Sequence, residues 1–254
     1  EASIAGGSST YLENNSYNTG SGGQDVPVLV GDPSVTQGTV TTVNFTVDTP
    51  AATLRYYYQV PPEGKGKEVS FTFSVKSSDG ETASYKMGPY KISKMDMVRN
   101  LALSDGNKAY ISIADMQVYD STAAAAIPDK IDLVYLYRPL TTSTFNHALV
   151  SPAADPEYLL NVNLPPGVNR STKEQRVFNL QDYDLAQSQF GIYIDDPDFE
   201  KLDLTNAPNY AINLKAEAGV WVETSDKKYR AYVYMNNVNN GSKSATVSIK
   251  RYPL

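Results

Sequence analysis

The sequence predicts an all-β, multi-sandwich protein, with an N-terminal immunoglobulin-like unit followed by a larger β-sandwich-like region. Three observations carry this. Apolar residues alternate with polar ones at a period of two in many short runs, which turns one face of each run toward a core. The breaks between runs are clusters of Gly, Pro, Asn, Asp and Ser, the residues of tight turns. Tyr is abundant, at 19 residues against 7 Phe and 1 Trp. It suits half-buried strand positions, the commoner case, where the ring packs and the hydroxyl stays wet, and it also fits a binding surface.

At roughly 100–150 residues per domain, 254 residues suggest two domains. Residues 1–24 are rich in Gly, Ser and Asn and read as a flexible tether. Its position suggests a removed signal peptide and a lipid anchor upstream of Glu1, against a plain disordered terminus. Residues 25–95 form the immunoglobulin-like unit. Val43, Phe45 and Val47 alternate with polar partners, as do Leu54, Tyr56, Tyr58 and Val60, and then Val69, Phe71, Phe73 and Val75. Turns are expected at Asp48-Thr49-Pro50, Pro61-Pro62-Glu63-Gly64 and Ser77-Ser78-Asp79-Gly80.

Residues 96–254 form the larger region. Ile111 and Ile113 begin it, a loop with an Ala run spans 120–130, and Ile131, Leu133, Tyr135 and Tyr137 make a wider, central strand. Between 139 and 188 repeated prolines weaken the pattern, so an irregular middle segment with short helices at 156–161 and 180–187 is expected. Strands return at Phe190, Ile192 and Ile194, at Tyr210, Ile212 and Leu214, and around Trp221. Two more follow at Tyr229, Ala231 and Val233 and at Ala245, Val247 and Ile249, joined by a hairpin at Asn240-Gly241.

Composition excludes several classes. With 28 acidic and 22 basic residues the net charge is -6, which argues against nucleic acid, whose phosphates need clustered Lys and Arg. No apolar stretch approaches the roughly 20 residues of a membrane-spanning helix. Without Cys there is no disulfide, Cys-ligated zinc or thiol nucleophile.

The runs HALVSPA (147–153), LPPGVNRSTKEQRV (164–177), YIDDPDFEKLDL (193–204) and APNYAINLKAEAGVWVETSDKKYRAYVYMNNVNNGSKSATVSIKRY (207–252) resemble an uncharacterised family of all-β secreted lipoproteins from gut Bacteroidetes. The resemblance covers most of the chain after the tether. It implies a multi-sandwich fold outside the cell. It implies no activity and carries no site residues with it.

Candidate chemistry is sparse. His147 is the only His, with Ser151 four residues on, but no Gly-x-Ser-x-Gly elbow accompanies them. The acidic run Asp195, Asp196, Asp198, Glu200 and Asp203 offers oxygen ligands beside Pro197, a candidate calcium site without the Gly and terminal Glu of an EF-hand loop. The alternative is a solvated acidic loop at a strand end. Tyr56 and Tyr58, with Trp221, Tyr232 and Tyr234, are candidates for an aromatic platform that stacks sugar rings, against core packing. Asp120-Ser121-Thr122 matches a short O-glycosylation pattern of Bacteroidetes envelope proteins.

The expected function is a non-enzymatic, exported, cell-surface binding or adhesion module, with a glycan or a surface protein as partner. The alternative is a structural or assembly component of an outer-surface complex using sheet edges. A divergent glycan hydrolase or accessory protein stands third.

Overall fold

The computed structural model describes residues 1–6, 30–48, 52–186 and 191–254 in full, and residues 8–13 by their backbone. Residues 14–24 of the expected tether, Thr49 and Pro50 of one expected turn, and Phe190 lie outside the described residues. The chain divides into two compact units, Glu1–Ser93 and Lys94–Leu254.

Unit 1 contains β1 (Ser8–Glu13), β2 (Val35–Gln37), β3 (Val40–Thr42), β4 (Thr53–Tyr58), β5 (Glu68–Lys76) and β6 (Thr82–Lys91). They pair as three two-stranded antiparallel ladders, β1 with β4, β2 with β3, and β5 with β6. The tether expectation is corrected for residues 1–6 and 8–13. The Glu1 ammonium and Ala2 and Ser3 amides donate to Thr72 O, Thr39 O and Ser70 O, and Ala2 is buried. A Gly/Ser-rich composition describes a soft chain, but the backbone groups of Ser8–Glu13 find partners in β4. Val43–Val47 makes no ladder either: Phe45 bridges Gly31, and Thr46 and Val47 donate to Val30 O.

The apolar centre of unit 1 is aromatic. The Phe71 ring lies 5.8 Å from Tyr56, 5.0 Å from Tyr58 and 6.2 Å from Tyr90. Burial is thin elsewhere, and Val40, Leu54, Val75 and Tyr85 are exposed.

Unit 2 adds β7 (Asp96–Ser104), β8 (Tyr110–Ser112), β9 (Gln117–Tyr119), α1 (Ser121–Ala126), β10 (Leu133–Tyr137), β11 (His147–Val150), β12 (Lys173–Val177), α2 (Tyr183–Ala186), α3 (Asp196–Lys201), β13 (Tyr210–Leu214), β14 (Gly219–Glu223), β15 (Tyr229–Asn239) and β16 (Ser244–Pro253). One five-stranded sheet runs β13-β11-β10-β8-β9 and a second runs β12-β14-β15-β16-β7. Leu133, Tyr135 and Leu149 of the first pack with Val220, Val222, Ala231, Val233, Val247 and Ile249 of the second in one buried cluster, which makes unit 2 a sandwich. Each fully buried aliphatic side chain contributes roughly 1.5–3 kcal/mol.

A second cluster joins the opposite side chains of the second sheet, Trp221, Tyr232, Tyr234 and Tyr252, to Leu185, Ile194, Phe199 and Leu204. The segment carrying α2 and α3 therefore covers that face. Gly219 permits the closest approach there: a Cβ would stand 2.0 Å from the Tyr232 hydroxyl.

Three expectations change in unit 2. The Ala run is the helix α1, because the Asp120 carboxylate caps it, accepting from Ala123 N at 2.8 Å. The irregular middle segment 139–188 holds two strands, β11 and β12. Ile192 and Ile194 form no ladder beyond a bridge between Ile192 and Asp182. The β15–β16 hairpin stands where Asn240-Gly241 points, but its connection is four residues long, with Lys243 at φ 50°.

Candidate functional site

A cleft of about 500 Å³ opens on unit 2. Its floor is apolar, from Ala109, Val134, Leu136 and Val162, and its rim is polar. Arg138 forms one wall and is held rigidly. Its Nη1 donates to Asp105 Oδ2 at 2.9 Å and its Nε to Leu160 O at 2.8 Å. The Asp105 amide donates to Lys243 O at 3.0 Å, which fixes the β15–β16 turn against the loop after β7. Asn161 turns the chain at φ 58°, a left-handed conformation that Asn tolerates, and Asn163 lies two residues on. Burial pushes the Tyr110 hydroxyl pKa up, opposed by a hydrogen bond with Ser121. The cleft thus presents amides, a guanidinium–carboxylate pair, an ammonium and two phenols, Tyr110 and Tyr137, around an apolar floor.

The expected aromatic platform is corrected. Trp221, Tyr232 and Tyr234 are core residues of the second cluster, with Tyr232 fully buried. Trp221 faces Tyr232 across β14 and β15 with ring centroids 4.7 Å apart, and Phe199 meets it edge-on at 5.3 Å. The Tyr232 hydroxyl donates to Leu180 O. Alternation places these rings opposite the sandwich core, and the α2–α3 segment, remote in sequence, covers them. Tyr56 and Tyr58 belong to unit 1, where both are half-buried against Phe71, and the Tyr58 hydroxyl donates to Ile4 O at 2.8 Å. On the opposite face of β4, Tyr57 is exposed.

The acidic run is corrected too. It is the start of α3, not an open loop. The Asp195 amide donates to Asp198 Oδ2 at 2.8 Å, one half of a capping box, and Asp196 adds a second carboxylate to the positive end of the helix. Glu200 Oε1 accepts the Tyr252 hydroxyl at 2.8 Å, and Asp203 Oδ1 accepts Thr205 N at 3.0 Å, a bond that helps hold its pKa down. Asp195 and Asp198 share the cap of α3, while Glu200 and Asp203 serve local bonds elsewhere. Among the described residues no group of three or more His, Asp or Glu side chains is placed to hold a metal ion.

His147 Nε2 donates to Asn240 Oδ1 at 2.8 Å, so its Nδ1 accepts the Tyr135 hydroxyl at 2.7 Å. Burial lowers its pKa. Ser151 Oγ donates to Arg170 O at 2.6 Å and accepts Thr172 N at 2.9 Å. The two side chains are each anchored, in separate networks.

Sequence reading missed the buried charges. Lys250 Nζ lies 2.7 Å from Asp182 Oδ2, 3.1 Å from Asp184 Oδ2 and 3.0 Å from Ile194 O. Arg170 Nε stands 3.1 Å from Asp132 Oδ1, and its Nη2 3.0 Å from Asp226 Oδ1. Burial raises the Asp132 pKa to about 6, against the pull of Arg170 and of the Ile113 amide. Glu174 is fully buried with neither carboxyl oxygen hydrogen-bonded, and burial lifts its pKa well above the usual range, opposed only by the Ser151 backbone amide. Nothing in the pattern of single charged residues among polar neighbours marks these positions as interior.

Residues 1–92 match the family model for a domain of unknown function, DUF4466, and residues 93–254 match that of another, DUF8576. The chain is similar to a DUF4466 family protein from Parabacteroides merdae, seen in a crystal structure, at 46% identity and a TM-score of 0.83. The match covers 100% of this chain and 85% of that one. No curated protein matches. The Parabacteroides source fits the Bacteroidetes resemblance in the sequence, and the all-β fold expected from alternation and turns stands in both units. With the whole chain matched at that identity and 93–254 covering most of its length, this is a member of the DUF4466 family, carrying a DUF8576 domain as its second unit.

Proposed function

We propose that the chain is a non-enzymatic, cell-surface binding module whose unit 2 cleft takes a saccharide. The observation that carries this is the pairing of an apolar floor with a polar rim, in which Asp105 and Arg138 are held in place and Asn161, Asn163 and Lys243 add exposed donors and acceptors. Sugar hydroxyls need such groups held in place, and the C–H face of a sugar ring needs an apolar or phenolic surface beside them. Arg138 is fixed by three oxygen partners, so little ordering is left for the ligand to impose. The engaged nitrogens of His147 and the engaged hydroxyl of Ser151 support binding rather than hydrolysis.

The test is binding of the purified chain to a panel of host and plant glycans. A saturable ligand is expected, weakened tenfold or more by Asn163→Ala combined with Lys243→Ala, both exposed side chains. That loss corresponds to about 1.4 kcal/mol or more. A blank panel, or a ligand indifferent to both substitutions, sinks the saccharide reading.

A further inference from the structure

In unit 1, β5 is flanked on both sides. One side pairs with β6, and the other takes Ser3 N onto Ser70 O at 2.8 Å and Thr72 N onto Glu1 O at 2.7 Å. β6 is therefore the edge. Among the described residues its ten residues pair on one side only, and all of them are exposed. Edge strands are usually blunted by bulges, prolines, charged side chains or brevity, and the one charge within Thr82–Met87 is Lys86. Here the bulge opposite Val69–Phe71 and Pro89 sit at one end, leaving Thr82–Met87 in regular register. Alternate backbone N–H and C=O groups of that stretch face outward.

The two faces beside this edge differ. Ala83, Tyr85 and Met87 share one with Phe71, Phe73 and Val75; Tyr56 and Tyr58 pack on its Phe71–Phe73 part, and beyond them Tyr85 is 69% exposed and Val75 54%. Thr82, Ser84 and Lys86 share the other with Thr72, Ser74 and Lys76. Among the described residues neither Lys76 nor Lys86 makes an ion pair. A second copy of β6 would bring Lys86 and no carboxylate to this face, and like charges across a ladder are unfavourable.

We propose that the β6 edge takes an extended segment of a partner protein by strand addition, one carrying apolar side chains on one face and carboxylates on the other. Backbone pairing supplies the affinity, and alternate side chains supply the selectivity. The inference stands apart from the saccharide reading, because it uses a different unit and a different chemistry.

The probe is a labelled seven-residue peptide with valines at alternate positions and glutamates between them, titrated against the full chain by fluorescence anisotropy. Three results are expected. Binding is saturable, falls at least tenfold when lysines replace the glutamates, and is lost when alternate amides are N-methylated. Amide exchange then slows within Thr82–Met87. Lys86→Glu should reverse the charge preference and leaves the backbone edge intact, whereas Ser84→Pro removes an edge donor and risks the hairpin. Absence of binding, or equal binding of the N-methylated peptide, overturns the proposal. So does a concentration-dependent dimer in sedimentation that protects the same amides, since the edge would then serve a second copy.

Discussion

Replacing Lys250 with Met should cost about 3–5 kcal/mol of stability, read by urea denaturation of the full chain. Lys250 reaches outward from β16 beneath the α2–α3 segment and is almost wholly buried, as is Asp182. The Asp182 carboxylate does more than balance the ammonium. Its Oδ1 accepts Asp184 N at 2.9 Å and its Oδ2 accepts Ile194 N at 2.6 Å, so one side chain gathers both ends of the stretch that bears α2. The ammonium adds Ile194 O and Asp184 Oδ2. Arg99, at 3.9 Å from Asp184, is too far and too exposed to replace it. Met keeps the volume and removes the charge, which leaves Asp182 ionised in an interior that cannot solvate it. Removing both partners is the control. Lys250→Met with Asp182→Asn should recover a large part of the loss, because the cost lies in the stranded charge rather than in the missing attraction. A loss below about 1 kcal/mol for Lys250→Met would mean that water reaches Asp182.

The same stretch shows why the fold was legible and the site was not. β4, β5, β15 and β16 stand where their alternation falls, and β10 stands where its continuous apolar run falls. β11 is buried along its whole length, so His-Ala-Leu-Val has no period to read. β12 is Lys-Glu-Gln-Arg-Val, polar by composition, and becomes a strand because β14 offers it a ladder. The N-terminal Ser8–Glu13 is a similar case, recruited by β4. Alternation also assigns Trp221, Tyr232 and Tyr234 to the face away from the sandwich core, correctly. Whether that face is wet depends on α2 and α3, whose packing rests on Lys250 and Asp182, and no local pattern announces a buried ion pair. Asp195 and Asp198 were misread for a related reason: carboxylates spaced by three suit a metal loop and a helix cap alike, and the apolar Phe199 buried just after them decides for the helix. The cleft escaped notice because its rim gathers residues from 105 to 243 that no spacing connects.

Glu174→Leu should raise stability by about 1–3 kcal/mol at neutral pH and flatten part of its pH dependence. Glu174 is fully buried in β12, opposite the core residue Val222. Neither carboxyl oxygen has a partner within hydrogen-bond geometry, and against burial stands the weak pull of the nearby Ser151 backbone amide. Burial therefore dominates, and the folded chain holds the proton more tightly than the unfolded one. A carboxyl with a raised folded-state pKa favours folding fully below its unfolded pKa, about 4.3. That contribution fades as pH rises through the folded value, because the unfolded chain ionises freely while the folded one must stay protonated or bury a charge. Asp132, raised to about 6, acts in the same direction. The two raised carboxyls should thus draw stability down from about pH 4.5 upward. Against them stands an opposing rise from His147, whose lowered folded-state pKa favours folding as pH climbs toward its unfolded value of about 6.5. Glu174→Leu should remove the Glu174 share while leaving the Asp132 and His147 shares in place. Urea titrations across pH 4.5 to 8 measure both slopes. Parallel slopes for parent and variant would show that the Glu174 carboxyl finds partners in solution, a bound water above all, and ionises without penalty. A steeper parent slope assigns β12 an unusual place in the sandwich: a strand held in the core by its backbone ladder, against the preference of its own side chain.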